Sequence, residues 1–238
     1  MNLVLLHQGD WIDADRVLLR DRRAGHIRTV LQAEVGVSLR VGVLGGLVGQ
    51  GVIEAMAPEG VRLRVALTNP PPPRHRFDIV LALPRPKMLR RILRQCAEFG
   101  IANLHLLQSA RVEKSFWQSP LLQPAALEEA LLAGLERSRD TIAPRVHLHR
   151  RFRPFVEDQL PGICGGRPCW LAHMQAPLAL AEAPPVPAVV MVGPEGGFVP
   201  FEVELAEAVI ARRVSLGART LSVDTALVTV LAQAPTDA

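Results

Sequence analysis

The sequence predicts a two-part α/β protein: a small N-terminal β-barrel, then a domain built on a mainly parallel sheet. Three observations carry this. Asn69-Pro70-Pro71-Pro72-Pro73-Arg74-His75-Arg76 sets four successive prolines where neither a helix interior nor a central strand can run. Before that seam, short Val- and Leu-rich stretches are separated by Gly and Pro turns, as in a small barrel. After it, short apolar runs alternate with helical segments, the pattern of strands joined by crossover helices. The expected divisions are a barrel over 1–69, a stiff extended linker over 70–76 and an α/β domain over 77–238.

In chain order, Arg22–Gln32 reads as a helix, and Leu39–Val43, Val48–Glu54 and Val61–Leu67 read as barrel strands. Ile79–Leu83 is a buried-type strand. Pro86 suits the first helical position of Lys87–Phe99, whose Met88, Ile92, Leu93 and Cys96 share a face and which Gly100 ends. Leu104–Leu107 is the next strand. Ser119-Pro120 opens a long helix to about Arg139, with Ser119 as its cap. Val146–His149, Cys169–Ala172 and Val189–Val192 are further strands. Phe201–Arg213 reads as a helix with Glu202 and Glu204 at its positive end and Arg212 and Arg213 at its negative end. Val214–Leu216 is a strand, and Leu221–Ala234 a final helix, apolar almost all round, that calls for burial against more than one surface.

Hydrophobic residues make up 49% of the 238, enough for a sizeable core, which excludes a largely disordered chain. No apolar run reaches the roughly 18–20 residues that span a bilayer, and Met1–Trp11 lacks the layout of a signal peptide. Cys96, Cys164 and Cys169, odd in number, suit a reduced cytoplasm better than a disulfide framework. Of 27 basic residues, only Lys87 and Lys114 are lysines. Arginine binds phosphate bidentately and stacks on bases. The net charge of +4 is mild, so nucleic-acid binding is permitted by it, and an arginine-favouring genome would account for the bias equally well. His147 and His149 share a strand face, but two His without further ligands at fixed spacing do not make a metal site, nor do Cys164 and Cys169.

Two loops could carry chemistry. Val189-Val190-Met191-Val192 runs straight into Gly193-Pro194-Glu195-Gly196-Gly197-Phe198 with a helix beyond. Glycines there let backbone approach a ligand and present its N–H and C=O groups. The spacing is neither a P-loop nor the dinucleotide fingerprint. Leu216-Gly217-Ala218-Arg219-Thr220-Leu221-Ser222-Val223-Asp224-Thr225-Ala226 repeats the theme. Alone it is ordinary punctuation between strand and helix; beside the first loop it could complete one pocket at the carboxyl ends of the strands.

These two loops resemble the RsmE family of small-subunit rRNA methyltransferases, of the SPOUT (trefoil-knot) class, with GPEGGF followed by a Leu-Gly-x-Arg-x-Leu-x-x-Asp-Thr-Ala pattern. Supporting matches are His26 to Leu31, Lys87-Met88 with Glu98-Phe99-Gly100-Ile101, Ser109-x-Arg111, Glu136-x-Ser138 with Pro144, and Leu171-x-His173. The resemblance implies a PUA-like, RNA-binding barrel ahead of a knotted methyltransferase domain. It implies a homodimer that uses S-adenosylmethionine, without a metal, to methylate N3 of a uridine in 16S rRNA of the small subunit, in the cytoplasm. Carried over by position, the cofactor residues are Leu171, His173, Gly193, Glu195, Gly196, Leu216, Gly217 and Leu221. Arg111 and Asp224 are the implied catalytic residues, and Lys87, Arg90, Arg94, Arg137 and Arg219 the implied RNA contacts.

The sequence departs from the family pattern where RNA would be met. Ser222 stands for an arginine, Asp224 for a glutamate, Arg137 for a glutamine and Gln32 for an arginine, and an expected arginine falls at or near Asp140. The N-terminus lacks the family's basic and aromatic cluster. These changes suggest a divergent member, and the alternative reading is a catalytically weak or silent RNA- or ribosome-binding paralogue. Single residues also have plainer readings: Arg111 as a solvated loop side chain, Lys87 and the Arg90–Arg94 stripe as a solvated helix face, His173 as a satisfied strand end, and Asp224 as a carboxylate favoured by the helix dipole.

Overall fold

The computed structural model describes residues 2–233 and divides into two units: Met1–Pro72 with Leu132–Ala143, and Pro73–Leu131 with Pro144–Ala238. In the first unit the chain runs β1 (Val4–Leu6), β2 (Arg16–Leu19), α1 (Arg22–Thr29), β3 (Ser38–Val43), β4 (Val48–Ala57) and β5 (Gly60–Asn69). The five strands form one sheet in the order β1-β3-β4-β5-β2, antiparallel except where β1 runs beside β3. Inward-facing Val17, Leu19, Val41, Ile53, Val61 and Leu63 alternate along the strands and close over Ile27 of α1. Asp21 caps α1 by accepting the Arg23 N–H, and the helix stops at Thr29, short of the expected Gln32, whose φ of 48° is left-handed. The Arg23 guanidinium is buried and forks onto both carboxylate oxygens of Asp10, at 2.7 Å each, with Asp21 beside it.

The second unit holds β6 (Phe77–Ala82), α2 (Pro86–Glu98), β7 (Asn103–Leu107), the greater part of α3 (Pro124–Ser138), β8 (Arg145–His149), α4 (Phe152–Pro154), α5 (Leu160–Cys164), β9 (Cys169–Ala172), β10 (Ala188–Val192), α6 (Pro200–Val209), β11 (Ala211–Val214) and α7 (Val223–Ala232). Its six strands are parallel throughout, in the order β11-β9-β10-β6-β7-β8. Every residue of β6 and β10 is buried, as expected of strands covered on both faces. The expected fold class therefore holds: a small, mainly antiparallel sheet unit and a parallel α/β unit.

Several expected boundaries are corrected. Ser119 caps only a single 3₁₀ turn, accepting the Leu121 N–H at 3.3 Å, and the long helix begins at Pro124. The helix expected over Phe201–Arg213 ends at Val209. Arg212 and Arg213 belong instead to β11, which pairs with β9 from Ala211↔Cys169 onward, so they do not complement a helix dipole. This also moves the strand expected at Val214–Leu216 upstream. The final helix starts at Val223, and Ala234 lies outside the described residues. No metal-binding group of three or more His, Cys, Asp or Glu occurs among the described residues, and no helix among them is long and apolar enough to cross a membrane.

Candidate functional site

Strand order decides which loops can meet. In β11-β9-β10 three carboxyl ends stand side by side, so His173 after β9, the glycine-rich loop after β10 and the loop after β11 converge. Between them lies a cavity of about 330 Å³, within the range of small-molecule sites. Of the implied cofactor residues, His173, Gly193, Glu195, Gly196, Leu216, Gly217 and Leu221 line it, as do Arg111 and Arg219. Leu171 is not part of the wall; it is fully buried in β9.

Backbone geometry explains the glycines. A Cβ on Gly193 would sit 3.1 Å from the Phe198 nitrogen and 3.2 Å from the Gly197 Cα, so it would press the loop's own backbone outward by a few tenths of an ångström. Gly217 has φ +115°, which L side chains rarely adopt. Gly196 has no such backbone demand; there a Cβ would meet the Arg111 side chain at 2.9 Å. The Arg111 guanidinium donates to the Gly196 carbonyl and so lies across the loop. Glu195 faces Arg85 at 3.5 Å. His173 Nδ1 accepts the Gln175 N–H at 3.1 Å, which leaves the ring hydrogen on Nε2.

The other implied residues stand elsewhere. Asp224, in the first turn of α7, is not part of the cavity wall; it accepts the Ser222 hydroxyl at 2.6 Å and faces Arg91 at 3.3 Å. These partners, Ser222 foremost, hold its carboxyl below the usual carboxylate range. Lys87 and Arg90 are exposed on α2, Arg90 pairing with Glu129 at 3.0 Å, while Arg94 on the same helix is partly buried. Arg137 belongs to the first unit, where its carbonyl accepts the Asn2 amide at 2.9 Å. Asp140 is also in that unit and only 3% exposed. Its Oδ1 accepts the Thr141 and Ile142 N–H groups and caps the turn after α3. The position read as a lost arginine is thus a buried turn cap, and restoring arginine there would strand a cation; the case for lost charge rests on exposed Ser222.

Sequence reasoning gave no site role to several residues in or beside the wall, among them Met174, Phe198 and Glu202. Met174 lines the cavity yet is 54% exposed, and nothing in its neighbourhood marks it. Phe198 forms part of the wall from within the GPEGGF run. Glu202, read only as a dipole-favoured carboxylate, is buried and reaches the Arg111 loop.

Among known proteins, the chain is 31% identical over 158 residues to ribosomal RNA small subunit methyltransferase E of Treponema pallidum (strain Nichols), a match covering 65% of this chain and 59% of the relative. The match thus spans less than two thirds of the relative's length. In fold, the chain is similar to a ribosomal RNA small subunit methyltransferase E from Neisseria gonorrhoeae solved with S-adenosylmethionine, with a TM-score of 0.73 at 17% identity, covering 98% of this chain and 95% of that one. It is equally similar to the Legionella pneumophila protein Lpg2936, solved with bound SAM, with a TM-score of 0.74 at 20% identity, covering 98% and 96%. A model of the RNA methyltransferase domain matches residues 70–234, most of the chain including the whole cavity wall, and the chain belongs to that family.

Proposed function

We propose that this protein transfers a methyl group from S-adenosylmethionine to RNA, and that its target is N3 of a uridine in 16S rRNA of the small ribosomal subunit. One observation carries the reading: two glycine loops, at the ends of the parallel strands β10 and β11 that flank β9, enclose a cavity with an arginine at its side. The site fits the cofactor. The close packing at Gly193 and the positive φ of Gly217 keep side chains out of the cradle, while Leu216 and Leu221 offer apolar surface for a purine ring. Loop N–H and C=O groups can read its edge, and Glu195 and His173 supply polar contacts. Leu171 supports this wall from within β9 rather than touching the ligand.

The bound cofactor supplies an activated methyl on a sulfonium. The chain's own work is to hold the acceptor nitrogen in line with that methyl and keep water away, and positioning of this kind accounts for much of the rate. Arg111 is placed to favour the deprotonated uracil ring, since a nearby cation stabilises an anion. Asp224 acts through Ser222 and Arg91 at the start of α7. Arg219, with Lys87, Arg90 and Arg94 of α2, offers phosphate contacts, and Arg137 does so from the first unit. The protein works in the cytoplasm as a homodimer formed through the C-terminal unit, with a barrel that contacts RNA and a knotted α/β domain.

Calorimetry with S-adenosylmethionine, with mass-spectrometric mapping of 16S rRNA in a deletion strain and its complement, tests the reading. The expected result is cofactor binding and one methyluridine that disappears with the gene. Absence of binding would overturn it; binding without a lost modification would favour the silent paralogue, for which Ser222 is the specific observation. Light scattering at micromolar concentration should return a dimer. Ser222→Arg, at an exposed position, is expected to strengthen binding to small-subunit rRNA modestly and to steepen its salt dependence by about one unit. Unchanged affinity and slope would remove this position from the RNA face.

A further inference from the structure

We propose that Glu202 is the positioning residue that fixes Arg111 over the glycine-rich loop; the inference rests on the reading of that loop as the cofactor and substrate site. Glu202 stands at the third position of α6, behind Pro200, and only 3% of it is exposed. One carboxylate oxygen, Oε2, accepts the Val199 N–H at 3.0 Å, which closes the start of the helix. That bond alone would be a helix-end device. The other oxygen, Oε1, accepts the Ala110 N–H at 2.7 Å, from a segment 92 residues away in sequence.

Ala110 immediately precedes Arg111, whose guanidinium donates to the Gly196 carbonyl. Gly196 in turn lies in the loop that leads into α6 and Glu202. The two crossings form a closed ring: α6 holds the Arg111 loop by its backbone, and Arg111 holds the glycine loop by its side chain. The 108–112 segment is stiffened from within, since Gln108 Nε2 donates to the Ser109 and Val112 carbonyls and the Trp117 indole donates to Gln108 Oε1. It therefore moves as a piece, and Glu202 is where that piece is anchored to the cofactor side. An arginine has many rotamers; a docked backbone on one side and a carbonyl on the other restrict where its charge can sit. The ring requires two oxygens. Glutamine offers one, and its amide group would face an N–H donor, leaving a buried donor without an acceptor.

The test uses the full-length protein with Glu202→Gln, Arg111→Ala and the double variant. In Glu202→Gln the Ala110 amide is expected to exchange its hydrogen about tenfold faster or more, while amides in β6 and β10 keep their rates. Single-turnover methyl transfer to small-subunit rRNA should fall by about tenfold in Glu202→Gln, with little further loss when the change is added to Arg111→Ala. Unchanged Ala110 exchange, or effects of the two substitutions that multiply, would overturn the proposal. Glu202→Asp keeps the charge but is one methylene short of spanning both amides. It should give the same pattern, and it replaces the glutamine variant should that one not fold. If the wild-type protein neither binds S-adenosylmethionine nor methylates RNA, the functional reading falls, while the exchange rate of Ala110 and the NMR signal of the Arg111 Nε–H still decide whether Glu202 sets the arginine.

Discussion

Gly196→Val is expected to lower the affinity for S-adenosylmethionine by about 100-fold or more, on the order of 3 kcal/mol, while the thermal midpoint stays near that of the wild type. The reason is local. Gly196 has an ordinary backbone conformation and is exposed, so valine is tolerated by the fold. Its first carbon would stand 2.9 Å from the Arg111 Cδ, and the remaining methyl groups extend the collision. Arg111 must leave the Gly196 carbonyl, and the displaced side chain and the new one both compete for cavity space. Gly217→Val is a useful contrast. Nothing lies within 4 Å of a Cβ there, so its penalty comes from the strain of φ +115° and should lower stability as well as affinity. Calorimetry and thermal melting on both variants separate the two causes. Normal cofactor binding by Gly196→Val would place the pocket elsewhere.

The contrast between these glycines shows what the sequence could and could not say. GPEGG announces a tight backbone after a strand, but not that Gly193 is confined by its own loop, that Gly197 has the left-handed φ of 72°, or that Gly196 is reserved for a side chain 85 residues upstream. The central strands β6 and β10 of the second unit were legible because each is a short apolar run buried on both faces. Arg212 and Arg213 were misplaced because two arginines after a helical stretch look like a helix end. Only the ladder to β9, a long-range pairing, makes them a strand. The helical turns over Phe152–Cys164 show no helical period in the sequence, because Pro154 and Pro161 interrupt it; the chain accommodates them at turn boundaries and around a π turn at Phe155–Gln159. Asp140 and Glu202 share the same lesson. Both looked like charges available to solvent or substrate, and both are buried because their oxygens take backbone amides that pattern cannot locate.

Acidification between pH 6.5 and 4 is expected to destabilise the second unit by up to roughly 3 kcal/mol through one residue, His105. His105 on β7 lies opposite His147 on β8, with ring centroids 4.5 Å apart, and its Nδ1 is 3.0 Å from His149 Nε2. Phe155 closes over the same face, 4.4 Å from the His149 ring. His147 Nε2 faces Asn103 Oδ1 at 3.3 Å, and the Asn103 amide donates to Asp78. Burial, then the His147 and His149 rings, push His105 down to about 4; Asp78 opposes the shift and Arg167 adds to it. Burial also lowers His75 and His149, so all three shifts point the same way. The sign follows from proton counting. Below pH 6.5 the unfolded chain binds a proton at His105 that the folded chain refuses until about pH 4, so stability is full above 6.5 and declines as pH falls through that window. Carboxylates contribute to acid unfolding too, so the informative quantity is the difference from His105→Phe, which keeps the stacking surface and cannot titrate. Urea unfolding at several pH values should give the variant a visibly shallower loss of stability between pH 6.5 and 4. Equal slopes in the two proteins would mean that the acid sensitivity of this unit lies elsewhere than in His105.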